Sequence, residues 1–345
     1  MKGLLFFLFC PNLILAQITI TDADLPVSSN VYYYSNVIDL LSVDVNQTGG
    51  NYNWDFSTLN YFDQDSLEVV SVSSTPIAYQ FFFNNLFLYP DHYATSAQST
   101  QDVTLMSTVT ISDRYDYYKA SSTSYDLVGF GANVNGVPTS VKYDTIDQVY
   151  PLPLNYGTVD STSAYYLTSI PTLGTYGQWI RRKVEVDGWG ILTTPFSSYD
   201  VLRVKTTLYQ RDTIFIDQLM LGDAFDRPIS NIYEWYANGQ GAPVLIVTSQ
   251  SGAVTEIKYK DDLHLSAIEH DLSGLEVFPN PVVDDLNFSS DMSEVVFIEI
   301  FNVNGVKVSE MRYKNKISLG FLKSGWYLLK LNYTNRYELV KFLKN

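Results

Sequence analysis

Apolar and polar side chains alternate with period two along much of the chain, while sustained 3.6-residue periodicity hardly occurs. This pattern predicts strands rather than helices. Lys183-Val184-Glu185-Val186-Asp187 alternates cleanly and runs into Gly188-Trp189-Gly190, which reads as a turn. Val201, Val204 and residues 206–209 mark the next strand and 213–218 another, and Asn238-Gly239-Gln240-Gly241 punctuates before the apolar strand 244–247. Short Gly, Asp and Pro connections imply antiparallel meanders, because parallel neighbours need long crossovers. A short helix is expected around 37–41, and the Gly/Asn-rich stretch 129–138 suits a turn or junction. No fixed-period repeat is present, which argues against a solenoid or propeller. The expected fold class is all-β: an antiparallel passenger of one or two β-sandwich or curved-sheet subdomains (17–135 and 136–267), then a small seven-stranded β-sandwich over 268–345.

The last seventy or so residues carry their own signals. Pro279-Asn280-Pro281 lacks two backbone donors and must be a turn or strand edge. Asn304-Gly305 between apolar runs is a strong hairpin signal. Leu322 leads to Gly325, which opens a strand placing Tyr327, Leu329 and Leu331 on one face and Trp326, Leu328 and Lys330 on the other. A basic-flanked strand around Lys341 closes the chain.

Composition sharpens this picture. With 27 Tyr and 19 Phe, the chain is rich in side chains that suit a half-buried pleated surface. From Leu275 onward there are nine Lys/Arg and eight Asp/Glu, whereas 17–274 holds 12 against 29. An acidic passenger disfavours nucleic acid and anionic lipid as partners. At the other end, Lys2 precedes an apolar run from Leu4 to Leu15, and Ala16 is the small residue before Gln17. Residues 1–16 are therefore expected to be a secretory signal peptide cleaved between Ala16 and Gln17. The single cysteine, Cys10, lies inside that run, so the rest of the chain has no thiol chemistry or disulfide.

The order Pro279-Asn280-Pro281, Asn304-Gly305, Leu322-x-x-Gly325-x-Tyr327 and terminal Lys341-Phe342-Leu343-Lys344 closely resembles the type A C-terminal sorting domain of the type IX secretion system. The matching positions are Pro279, Asn280, Pro281, Gly305, Leu322, Gly325, Tyr327 and Lys341. The resemblance implies two partners, the secretion translocon and a cell-surface sortase that removes the domain. It also implies release of the passenger or its attachment to surface lipopolysaccharide, the only membrane association expected. Two passenger blocks, 48–59 (TGGNYNWDFSTL) and 186–205 (VDGWGILTTPFSSYDVLRVK), are similar to blocks in a group of secreted proteins sharing this tail. That similarity implies no activity.

Candidate chemistry is sparse. Among His92, His264 and His270, His92 alone has aromatic company in Tyr89-Pro90-Asp91-His92-Tyr93. No nucleophile elbow, zinc helix motif or phosphate loop occurs, and neither a metal nor a cofactor is expected. Glu185 and Asp187, two apart on a strand, share one face with Cα atoms roughly 6.5–7 Å apart, a spacing compatible with glycoside hydrolysis. Arg181 and Lys183 on the same face would neutralise them, and a solvated strand face is the preferred reading. Tyr beside acidic residues is the stronger lead: Tyr115, Tyr117, Tyr233 and Trp235 are the expected ligand platform, since an amphipathic ring near a carboxylate can stack on a sugar. The expectation is a secreted or surface-attached non-catalytic module that binds an extracellular glycan or protein. The alternatives are a polysaccharide hydrolase with paired carboxylates and a structural surface-layer component.

Overall fold

A computed structural model describes residues 17–26, 29–105, 109–170, 174–217, 220–263, 277–288, 295, 297–302, 307–332 and 337–345. The chain divides into two compact units between Leu263 and His264, each described by itself. The first contains strands β1 (Asn30–Val37), β2 (Gly49–Asp55), β3 (Tyr61–Val70), β4 (Ser96–Thr100), β5 (Val103–Leu105), β6 (Val109–Ala120), β7 (Ser124–Val134) and β8 (Val137–Pro151). It continues with β9 (Val159–Ile170), β10 (Gly174–Thr193), β11 (Ser198–Ile216), β12 (Leu221–Asp226), β13 (Ser230–Tyr236), β14 (Leu245–Gln250) and β15 (Ala253–Asp261).

The protein is all-β, as the alternation predicts. In the first unit the strands join in the order β11-β13-β14-β15-β1-β3-β4-β6-β7-β8-β9-β10, and β10 pairs β11 again, so twelve strands close into a ring. Closure leaves no free edge around the ring. The remaining three extend it: β12 pairs the far end of β11, β5 pairs β6, and β2 pairs β10. Residues 129–138 include the end of the β7–β8 hairpin, so the strands before and after them belong to the same sheet.

Two local expectations differ from the structure. Residues 37–41 form no helix: Val37 ends β1, and the Asp39 carboxylate accepts the Leu41 N–H at 3.0 Å, a local bond that competes with helix formation. The complete helical elements among the described residues are the 3₁₀ turns Asp22–Asp24, Val72–Ser74 and Ile77–Tyr79. Gly188-Trp189-Gly190 is not a turn either. The chain passes through it by a bulge and continues as β10 to Thr193. The glycines make room for β2, the one parallel neighbour of β10. A Cβ on Gly190 (φ +151°) would lie 1.9 Å from the Tyr52 carbonyl oxygen, and one on Gly188 would lie 3.1 Å from the Trp54 ring. Glycine inside a strand commonly marks such close approach.

Alternation gives the ring an inner and an outer face. Inward side chains include two large clusters. One holds Val184, Val186, Leu202, Val204, Tyr150 and Tyr236, into which Ile20 and Leu25 from the start of the described chain insert. The other holds Phe130, Val141, Tyr143, Tyr166 and Ile180. Asp24 ties the N-terminal segment down by accepting the Gly239 N–H at 2.8 Å.

Outside, two segments cover parts of the ring. Trp54, Phe56 and Leu59 pack on Tyr233, Trp235 and Leu245. Tyr79 and Phe83 pack on Tyr117 and Val128. Phe83 stacks on Tyr117 with ring centroids 4.0 Å apart, beside Gly129 and Gly131, where a Cβ would fall within 2.7 Å of the Phe83 and Tyr79 rings respectively. The outer face of β9 to β12 carries exposed apolar side chains instead.

The second unit contains β16 (Val277–Phe278), β17 (Asp285–Phe288), β18 (Phe297–Asn302), β19 (Lys307–Arg312), β20 (Lys316–Ser318), β21 (Gly325–Asn332) and β22 (Tyr337–Lys344). They form sheets of three and four strands whose inner faces share one core of Leu286, Phe288, Ile298, Ile300, Leu329 and Phe342. Seven strands in two stacked sheets is the expected sandwich.

Candidate functional site

The sequence-predicted residues separate by face. Trp235 is fully buried and Tyr233 nearly so, because their face of β13 lies under Trp54 and Phe56; the Trp235 ring meets Trp54 edge-on at 6.0 Å. Tyr117 is also fully buried, and its hydroxyl pairs with Thr75 Oγ1 at 2.7 Å. Tyr115 is half-buried beside Tyr79, with ring centroids 6.5 Å apart. These four are packing residues rather than an exposed platform, since a ring covered on its flat face offers nothing to stack on.

Glu185 and Asp187 do lie on the outer face, but each has its own cation. Lys183 Nζ lies 2.9 Å from Glu185, and Arg203 Nε lies 3.3 Å from Asp187. Burial pushes the Asp187 carboxyl above its ordinary range, while Arg203 and the Thr48 hydroxyl pull it back. Arg203 rather than Arg181 supplies the neutralising charge. His92 Nε2 lies 2.7 Å from the Tyr143 backbone oxygen, a structural contact. His264 and His270 lie outside the described residues, as does Ala16, whereas Gln17 is exposed.

What the sequence reading missed is an aromatic strip on an outer face that none of the described residues covers. Tyr165 on β9, Trp179 on β10 and Arg211 on β11 are direct cross-strand partners in one row. In the adjacent row, Arg181 faces Tyr209 with its guanidinium carbon 6.0 Å from the ring centroid. Directly opposite side chains stand about 4.5–5.5 Å apart and adjacent rows on one face about 6.5–7 Å apart, so these groups form a continuous patch. Trp179 is 41 % exposed, Tyr209 40 % and Tyr165 36 %. A groove of about 360 Å³ runs along this patch, lined by Trp179, Arg181, Tyr209, Arg211, Asp226 and Ile229. Arg211 Nη1 pairs with Asp226 at 2.9 Å at its rim. The signal was present in Trp179-Ile180-Arg181-Arg182-Lys183, where every second side chain is large and amphipathic or charged.

In the C-terminal unit, Asn280 clamps the last strand: its Oδ1 accepts the Leu343 N–H at 2.9 Å and its Nδ2 donates to the Lys341 carbonyl at 3.4 Å. Pro279 and Pro281 flank this clamp. Leu322 is buried in the sandwich core. Gly325 (φ +154°) opens β21, and Tyr327 stacks on Phe342 with centroids 5.7 Å apart. Lys341 Nζ sits 4.4 Å from the Trp326 ring centroid. Gly305 lies outside the described residues.

Comparison with protein families matches residues 276–345 to the secretion system C-terminal sorting domain. The match indicates export by the type IX secretion system across the outer membrane, to the cell surface or extracellular space. Comparison with curated proteins and with solved structures gave no match.

Proposed function

We propose that the passenger is a non-catalytic binding module for extracellular glycans, and that the Tyr165–Trp179–Tyr209 strip is where it binds them. The observation that carries this reading is Trp179, exposed on a sheet face between an aromatic partner and an arginine. The indole presents an apolar face to the C–H side of a sugar ring, and Arg181, Arg211 and Asp226 surround it with donors and an acceptor for hydroxyls. The sheet holds these groups at fixed spacing, which limits the entropy lost on binding. In this reading a signal peptide at 1–16 starts export and a surface sortase removes the C-terminal unit. The passenger then stays on surface lipopolysaccharide or leaves the cell.

The test is a glycan array and polysaccharide pull-down with the purified protein, assaying reducing-end release on every retained glycan. Retention without release, reduced at least about tenfold by Trp179→Ala at unchanged thermal stability, is the expected result. Retention that survives Trp179→Ala removes the strip from the proposal. New reducing ends from the wild-type protein overturn the non-catalytic reading.

A further inference from the structure

The interior of the ring is not completely filled. Between the inward faces of β6 to β11 is a cavity of about 310 Å³, at the small end of the roughly 300–1,000 Å³ that small-molecule sites occupy. Ile111, Val134, Val141 and Ile170 supply apolar wall, with Phe130 and Tyr166 meeting edge to face at 5.3 Å. Thr139, Thr168, Gln178 and Gln210 add uncharged polar groups. The cavity shares no lining residue with the outer strip except Gln210 and Arg227, which also reach the groove.

Charge on the lining decides the class of ligand. Three arginines face the cavity, and each is matched by an aspartate. Arg114 lies 2.8 Å from Asp116, Arg182 grips Asp147 through two nitrogens at 2.9 and 2.7 Å, and Arg227 lies 2.7 Å from Asp212. An anion entering here would have to displace a carboxylate already in place, and a cation would meet guanidinium groups. Either would be desolvated without a counter-charge of its own. An uncharged hydroxyl or carbonyl meets no such penalty. It can accept from arginine N–H groups that the aspartates leave unused, since each guanidinium has five donors and Arg182 commits only Nε and Nη2 to Asp147.

We infer that this cavity binds a small uncharged amphipathic molecule, its ring or chain against Ile111, Val134, Ile170 and Phe130 and a hydroxyl or carbonyl among Arg114, Arg182 and Gln178. The site is independent of the glycan strip and survives the loss of Trp179.

Two fluorescent probes that differ by a single sulfonate test the inference on the purified full chain: neutral N-phenyl-1-naphthylamine and anionic 8-anilinonaphthalene-1-sulfonate. The expected result is saturable one-to-one binding of the neutral probe, at least about tenfold tighter than the anionic one. Thr168→Trp and Thr139→Phe, which fill the cavity from the neighbouring strands β9 and β8, should each weaken the neutral probe at least about tenfold while far-ultraviolet dichroism and cooperative thermal unfolding stay native. Absence of saturable neutral binding, equal or tighter binding of the sulfonate, or unchanged binding in a folded filled variant each overturns the inference. The preference between the two probes requires no variant, so it decides the matter even where filling prevents folding.

Discussion

Arg203 and Asp187 meet across the β10–β11 pair, with Nε 3.3 Å from the carboxylate, and the same guanidinium reaches out of the sheet to a third segment. Its Nη1 and Nη2 donate to the backbone carbonyls of Gln47 and Val45, each at 2.6 Å, and its carbon lies 4.8 Å from the Tyr233 ring centroid. Arg203 is 1 % exposed. Burial pushes its guanidinium below the ordinary arginine range, with Asp187 opposing that shift. Thr48 completes the joint by donating its hydroxyl to the Asp187 carbonyl at 2.8 Å. Block 186–205 thus forms one half of a clasp that fastens β2 to the ring, and the other half runs from Val45 and Gln47 into block 48–59 at Thr48.

Breaking the clasp should be costly. Arg203→Ala leaves a partly buried carboxylate and two carbonyls without their donor, so a loss of about 3–5 kcal/mol is expected in urea unfolding. Arg203→Lys retains the charge but not the fork, and should recover only part of that loss. A wild-type midpoint for Arg203→Ala would mean the joint adds nothing to stability.

The glycines give a paired comparison. Gly190→Ala drives a Cβ into the Tyr52 backbone and should detach β2, whereas Gly136 (φ +84°) has open space around its Cβ position. Gly136→Ala should cost only the backbone strain of about 1 kcal/mol, against several for Gly190→Ala. Equal shifts in melting temperature would contradict the packing argument.

Glu234 predicts a pH dependence. It faces inward, accepting from the Tyr150 hydroxyl through a short hydrogen bond and from Tyr236 at 3.4 Å. Burial holds its carboxyl above the ordinary value of 4.5, partly offset by hydrogen bonds from Tyr150 and Tyr236 and by the nearby Arg182 and Lys258 charges. A carboxyl raised on folding favours the fold while protonated and loses that contribution as pH rises through its folded value. Ionised Glu234 therefore destabilises the protein at neutral pH. Glu234→Gln should melt higher than wild type at pH 7, and the gap should close below about pH 4.5. A gap that persists in acid would assign the effect to packing instead.

Two tryptophans should respond in opposite ways. Trp235→Ala empties a fully buried site and should cost about 3–5 kcal/mol in chemical denaturation. Trp179→Ala should leave stability within about 1 kcal/mol while removing glycan retention.

Glu185→Ala tests the hydrolytic alternative. Its ion pair with Lys183 is partly exposed, so the substitution should change stability by no more than about 1 kcal/mol. Any glycan-cleaving activity of the wild-type protein should also be unaffected by it.

By itself the sequence determined the fold class, the seven-stranded sandwich at the C-terminal end and its sorting signals. Each rests on interactions between near neighbours: period-two alternation, the restricted backbone of Pro279 and Pro281, and the strand opened by Gly325. It also held much of the clasp in two separate blocks, without showing that they touch. Only the tertiary structure decided which aromatic side chains are wet. Tyr233 and Trp235 have the local pattern of a platform, yet residues 43–59 fold over their face, whereas nothing among the described residues covers Trp179 and Tyr209. Alternation assigns side chains to opposite faces; what lies over a face depends on contacts more than a hundred residues apart in the chain, such as Gln47 with Arg203. Ring closure is decided in the same way, because β1 near the start of the first unit pairs β15 at its end, Tyr33 opposite Asp261, and the cavity exists because the ring closes.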